Sequence, residues 1–421
     1  MFGVISCLRI VAFRRLLTAY VLNELAWSVG TLALSLLVYR RTGSAIGSAA
    51  FFLCSQFLPA LLSPALVARL DRASARTVLP ILYVVESLLF GALAYLTHHF
   101  SLAPVLLLAL ADGAIAATAR SLSTATRIEI LRPLDLLHEG NAIGSFAFSG
   151  AFMAGPVIGG VVVAAGGTLA ALLVNCGLFA TVAVFLAVTA LPGAKTDPGS
   201  VWSRLASGLA HVRSDAVMAR LLIMQAVGLC IFTITIPVEV IYAQHALHAG
   251  AGGYGLLLGV WGGGAVAGSV VYARFRRRSA PVLIAGSAVA LAAGFAVMAA
   301  APSLIVALCG SAVAGAGNSV EWVAWRTAIQ ERTPDRWMAL MMSLADSMSM
   351  LAPGIGIVAG GLIAQFASSR VAFGVAAGGS LLFAIAVPLA FRKSPDRRPD
   401  RRPSVEVSAE EAAIPRGKSL V

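Results

Sequence analysis

The chain has 421 residues, of which 59% are apolar and only 12% charged, with a formal net charge of +12. That balance excludes an ordinary soluble helical domain, whose helices keep a polar face. It also excludes a nucleic-acid binder, because the basic residues are not gathered on one water-facing domain.

About twelve apolar stretches follow one another with short breaks, and stretches such as Leu102–Ala111, Val157–Ala165 and Val371–Ala390 hold almost nothing that wants water. A spanning helix needs roughly 20 apolar residues to cross a hydrocarbon core of about 30 Å. Its backbone amides must also be bonded within their own segment. The pattern therefore predicts an all-α membrane protein of 12 transmembrane helices. Spans are expected at 13–38, 45–68, 78–97, 102–126, 142–165, 168–191, 217–243, 253–273, 280–300, 303–328, 338–364 and 370–391.

Charge position orients these spans. With the N-terminus in the cytoplasm, the even-numbered turns carry Arg69, Arg72 and Arg76, then Arg127 and Arg132, then Lys195, Arg204, Arg213 and Arg220. Arg274, Arg276 to Arg278, Arg332 and Arg336 continue the series, whereas the opposite side holds only Arg40, Arg41 and Arg370. The positive-inside rule then places both termini in the cytoplasm, and the basic excess attracts anionic membrane lipid. The N-terminus lacks a small-residue cleavage site, so an uncleaved first span is expected. Cys7, Cys54, Cys176, Cys230 and Cys309 stand singly; their odd number and spacing predict neither disulfides nor a metal site.

Two six-helix halves are expected, 1–191 and 217–391, around a central cavity. A cytoplasmic linker joins them at 192–216, and a disordered cytoplasmic tail follows at 392–421. Within the linker, Trp202, Leu205, Leu209 and Val212 recur at helical steps, predicting a short helix on the membrane face. Features repeat about 200 residues apart: Arg69–Arg76 with Arg274–Arg278, and Gly155–Gly160 with Ala352–Gly361. Six plus six spans is the plan of a secondary transporter with its site between the halves.

The turn Ala68-Arg69-Leu70-Asp71-Arg72-Ala73-Ser74-Ala75-Arg76 resembles the signature of the major facilitator superfamily. Asp71, Arg72 and Arg76 match it, while Val67, Ser74 and Thr77 replace the usual Gly, Gly and Arg. Gly155-Pro156-Val157-Ile158-Gly159-Gly160 matches the core of that superfamily's antiporter motif. Three further pieces resemble the subgroup of the enterobactin exporter and macrolide efflux pumps. They are Thr42-Gly43-Ser44, Gly253-Tyr254-Gly255-Leu256, and Gly315-Ala316-Gly317-Asn318 with Arg326, Gln330 and Pro334. The resemblance covers about residues 9 to 391 and implies the major facilitator fold.

It also implies roles. Asp71, Arg72 and Arg76 would form a cytoplasmic gate that breaks and remakes as the halves rock, with Glu129 the partner of Arg72. An ion pair at a wet helix end does this at little cost, unlike a buried pair. The competing reading is that these arginines only hold topology. Pro156 removes an amide donor, and Gly155, Gly159 and Gly160 admit a close neighbour. That run would seal the cavity in an exporter, or simply pack two helices.

Ionisable groups inside spans are functional candidates because each is expensive in hydrocarbon. Glu24 and Asp112, mid-span in the first and fourth spans, lead as proton-coupling residues; Glu321 in the tenth follows. Glu86 falls on the more peripheral third span, Glu239 near the outer boundary, and Asp346 close enough to pair with a cytoplasmic arginine. For each acid the alternative is a polar anchor paired to a neighbouring helix. Asn23, Trp27, Arg120, Asn318, Trp322 and Trp325 are expected to line the substrate cavity. Arg120 would pair with Glu24 or Asp112, hold an anionic substrate, or snorkel to the surface; Trp322 and Trp325 would alternatively anchor at the interface. Ring faces beside carboxylates suit a bulky, partly apolar solute, cationic or catecholic, because they attract cations and stack on flat solutes.

No hydrolase, metalloprotease or Walker motif is present, so neither an enzyme nor a cofactor is expected. The leading expectation is a monomeric, proton-coupled exporter of a small amphiphile, such as a siderophore or macrolide-like drug, in a bacterial cytoplasmic (inner) membrane. An uptake symporter and a non-transporting receptor or assembly subunit are the alternatives. If Asp71 works in a gate, Asp71→Asn cuts transport strongly while expression and insertion stay nearly unchanged, because exposed pairs add little stability. Normal transport by that variant shows the turn to be topological only.

Overall fold

The computed structural model describes residues 2–70, 74–189, 191, 216–333 and 335–391, and among them the chain is helical without a strand. Asp71 and Arg72, the linker helix and the tail lie outside the described residues. The spans run Val11–Thr42, then Ala45–Phe52 continuing through a π-helical turn at Leu53–Phe57 into Leu58–Leu70, then Ala75–Tyr95 and Leu102–Leu131. The fifth and sixth share one helical run, Leu137–Ala187, whose dihedrals break at Gly167 (φ 75°). The helix continues through Pro156, and the break at Gly167 is the turn between the fifth and sixth spans. Gly167 accepts the positive φ because it has no Cβ.

In the C-terminal half, the seventh span is Ala216–Thr233 and Ile236–Ile241 with a π-helical turn at Tyr242–Ala246. Gly250–Phe275, Ala280–Ala300, Leu304–Arg332, Asp335–Phe366 and Ser369–Ala390 complete the twelve. Ten described helices are long and apolar enough to cross a membrane; one of these, Glu139–Ala187, holds two spans, and Ala352–Phe366 adds a shorter apolar stretch. The protein is a multi-pass membrane protein. One element was not expected, a short helix at Phe2–Arg9, whose Cys7 packs with Phe13 and Leu131.

Small residues set the helix spacing. A Cβ on Gly160 would lie 2.8 Å from the Ala251 carbonyl and 3.0 Å from Gly255 Cα, and a Cβ on Gly255 would overlap the Pro156 carbonyl. The fifth and eighth spans thus meet backbone to backbone across the two halves, the mode that small residues permit in lipid. Gly264 and Gly268 approach the Ala312 and Ala316 carbonyls in the same way, joining the eighth and tenth spans.

Hydrogen bonds join the halves at this same end, opposite the arginine-rich turns. Arg40 donates to Gln244 Oε1 at 3.3 Å, and Ser35 Oγ lies 3.5 Å from Tyr254 Oη. The Thr42-Gly43-Ser44 turn is central to the seal. Gly43 ends the first span with φ 60°, and Ser44 Oγ caps the second by accepting from Gly47 N at 3.1 Å. Ala45 N then donates to Gln365 Oε1 of the eleventh span at 2.9 Å.

Gly255→Leu is expected to pry this end open. Spin labels at Ile46 and Phe366, both exposed near the seal, should report longer distances by electron resonance than in the parent protein. An unchanged distance distribution would show the glycine contact to be dispensable.

Candidate functional site

A cavity of about 230 Å³ lies between the halves. The first span contributes Trp27, Ser28, Thr31 and Leu32, the second Phe52 and Gln56, and the fifth Phe152 and Pro156. The seventh adds Phe232, Ile236 and Glu239, and the eighth Tyr254, Leu258 and Trp261. Pro156 of the expected antiporter run is therefore a wall residue. Gly155 packs on Ser28, Gly159 on Val29, and Gly160 on the eighth span.

Beside this cavity the N-terminal half buries a group of charges. Glu24 is 3% exposed, forms an ion pair with Arg120, whose Nε lies 3.3 Å from Oε1, and accepts a hydrogen bond from Asn23 Nδ2 at 3.2 Å. The Arg120 guanidinium rests 5.7 Å from the Trp27 ring centroid. The structure thus brings together Asn23, Glu24, Trp27 and Arg120, and Arg120 makes the pairing with Glu24 rather than reaching only for the surface. Arg127, one turn pair further along the same helix, lies over Tyr20 at 5.7 Å.

Asp112 is buried, and its Oδ1 has no hydrogen-bond partner among the described residues. Glu86 is fully buried, and neither carboxyl oxygen has a partner there. It feels the charges of both Asp112 and Arg120. Glu86, on the third span, is thus fully buried within the N-terminal half.

The tenth span separates residues expected to act together. Glu321 is buried with Oε1 against Gly228 and close to Phe383, on the inner side of the C-terminal half. Trp325, one turn on, is 2% exposed and stacks on Phe391 at 6.1 Å, so it fills that half's core rather than the cavity wall. Trp322 is exposed with Arg326 over its ring at 5.9 Å, and Asn318, four residues before, is half-buried. Of these three cavity candidates in the tenth span, none is on the cavity wall. Arg76 and Glu129 are exposed, while Asp71 and Arg72 fall outside the described residues and the Asp346 side chain is not described.

Glu239, one of the in-span acids and expected near the outer boundary, is half-buried on the cavity wall. The signal was Pro237 two residues earlier, since a proline inside an apolar span marks a broken helix at a binding site.

The family model of the Major Facilitator Superfamily matches residues 16–352, and again 221–420. The chain belongs to this superfamily. Among solved structures it resembles a mutant form of the nucleoside transporter NupG, with TM-score 0.72 and 16% identity over 90% of this chain and 100% of that one. It also resembles a bacterial homologue of the iron transporter ferroportin in an inward-facing state (TM-score 0.68, 15% identity, 90% and 99% covered). A D-xylose-proton symporter gives TM-score 0.66 at 15% identity, with 89% and 96% covered. At such identities the likeness establishes the fold. A search of curated proteins found no match. The superfamily consists of small-molecule transporters, not enzymes.

Truncating Arg120 leaves Glu24 buried without its counter-ion. Losing one partner of a buried pair costs about 3–5 kcal/mol. Because the Arg120 side chain is 41% exposed, water supplies part of the compensation and about 1–3 kcal/mol is expected. Arg120→Ala should lower the melting temperature in detergent, and the double variant Glu24→Gln/Arg120→Ala should recover most of it. Additive losses in the double variant would show that the two residues do not interact.

Proposed function

We propose that the protein is a proton-coupled exporter of a small amphiphilic compound, working as a monomer by alternating access in a bacterial cytoplasmic membrane, with both termini in the cytoplasm. The observation that carries the coupling is the charge count in the N-terminal half. Three carboxyls, Glu24, Glu86 and Asp112, are buried in this half; Arg120 forms an ion pair with Glu24, and Asp112 Oδ1 and both Glu86 oxygens have no hydrogen-bond partner among the described residues. Three ionised carboxylates buried with a single partly wet cation nearby leave uncompensated charge, at a cost of several kcal/mol. A proton bound among them removes that cost, and its loss supplies a charge change that the neighbouring cavity senses. Arg120 is the natural relay, since it touches Glu24 and lies on the wall residue Trp27.

Support for export comes from Gly155-Pro156-Gly159-Gly160 at the contact between the halves, and from the three motifs of the enterobactin and macrolide exporters. The halves would span 1–191 and 217–391, with Asp71, Arg72, Arg76 and Glu129 gating the cytoplasmic end. Glu321 is a reserve proton site. Uptake by symport is the second reading, favoured by the likeness to a D-xylose-proton symporter.

Inverted vesicles with an acidic lumen separate the two: an exporter accumulates a labelled macrolide or catecholate siderophore there, and a symporter does not. In antiport the substrate competes with the proton, so binding releases one. By linkage, raising pH tightens binding until the acid is already ionised in the free protein. Affinity measured from pH 5 to 9 should show this slope in the parent protein and lose it in Asp112→Asn, Glu24→Gln or Glu86→Gln. A slope that survives in all three moves the proton site to Glu321, and no slope in the parent argues against antiport.

A further inference from the structure

The cavity wall carries a chemistry that the charged group beside it does not use. Six of its fourteen residues are aromatic, Trp27, Phe52, Phe152, Phe232, Tyr254 and Trp261, against 8% of the chain. Its one carboxylic acid is Glu239, and no Arg, Lys or His is among these wall residues. Arg120, which lies on Trp27, is paired with Glu24 and is not part of the wall.

The backbone is irregular where it presents this acid. The seventh span stops at Thr233, restarts at Ile236 with Pro237 in its first turn, and loosens into the π-helical turn Tyr242–Ala246. Glu239 sits in the short piece between the two irregularities. The second span has its own π-helical turn at Leu53–Phe57, which contains the wall residue Gln56 and directly follows Phe52. Broken backbone at membrane depth is tolerated where it lines a cavity, and π turns are frequent at functional sites. The rings are also held firmly: Trp261 stacks between Phe232 at 5.5 Å and Phe295 at 6.1 Å.

We propose that this cavity binds an organic cation, an ammonium group on an apolar body of about benzyl size, with Glu239 as its counter-ion and the rings of Trp27, Phe232 and Trp261 as its bed. Ring faces are negative and attract such cations, most strongly where water is excluded. An anion would face both those rings and Glu239. A sugar-like solute would find few free hydrogen-bonding groups, since Tyr254 Oη already lies within bonding reach of Ser35. Cation recognition rests on the transport reading, in that it takes the cavity as the substrate site. It is separable from proton coupling, because Glu239 is not one of the residues given that role.

The probes are benzyltrimethylammonium, its neutral carbon isostere neopentylbenzene, and the anion benzylsulfonate. Binding to the purified protein in lipid nanodiscs is read from quenching of tryptophan fluorescence. The cation should bind at least about 10-fold more tightly than either analogue. Glu239→Gln, near-isosteric and checked by melting temperature, should remove about that preference. The comparison of the three probes on the parent protein needs no variant, so a misfolded Glu239→Gln leaves it intact. Equal binding of cation and isostere, preference for benzylsulfonate, failure of all three to bind, or unchanged selectivity in Glu239→Gln would each overturn the proposal. Proton-driven accumulation that persists in such a case shows that the transport reading stands without it. Cation selectivity with no pH dependence of transport shows the reverse.

Discussion

The close meeting of the fifth and eighth spans sets the geometry on which the rest depends. Gly160 and Gly255 leave no room for a single Cβ between the two backbones. Lipid offers no hydrophobic drive for helices to associate, so contact of this kind is a main source of attraction between halves. It draws Pro156 of one half and Tyr254 of the other onto the same cavity wall. It also brings the ends of the first and second spans within bonding distance of Gln244 and Gln365. Cavity shape and the seal above it therefore follow from one stripe of small residues.

Charge is distributed unequally between the halves. The N-terminal half keeps Glu24, Glu86 and Asp112 beneath its surface with Arg120 partly exposed beside Glu24, whereas the C-terminal half presents Glu239 directly to the cavity. The first set lies off the cavity wall, and the second forms part of it. Trp27 is shared, with the guanidinium of Arg120 on its ring and a solute-facing position on the wall. A change in the charge felt by Arg120 thus has a short physical route to the cavity.

The twelve spans were legible because length and apolarity in hydrocarbon are strong, local signals; even the division between the fifth and sixth fell within a few residues of Gly167. Asn23, Glu24 and Trp27 were legible as a group because they lie within about one helical turn of each other, and Arg120 was an anticipated partner of Glu24. Glu86 was not, because which face of the third span turns inward is decided by its neighbours and leaves no mark on its own sequence. Glu239 was legible as an in-span acid, but its place on a cavity wall depends on residues of the first, second, fifth and eighth spans, which lie outside its own segment. Trp325 follows Glu321 by four residues, which suits a wall or a core equally. Phe383 and Phe391, far along the chain, decided for the core.

The latch at Gln365 is made of neutral groups. Its amide oxygen takes the Ala45 N–H, and Gln244 in the same seal accepts from Arg40 as an uncharged partner. When such a latch opens, water replaces each bond almost evenly. Nor does dissolved salt screen a bond between dipoles as it screens a pair of full charges. The arginine-rich turns at the opposite end carry full charges, whose field ionic strength weakens. The Ala45–Gln365 bond of this seal is thus indifferent to salt, whereas the exposed charge of Arg40 beside it is not.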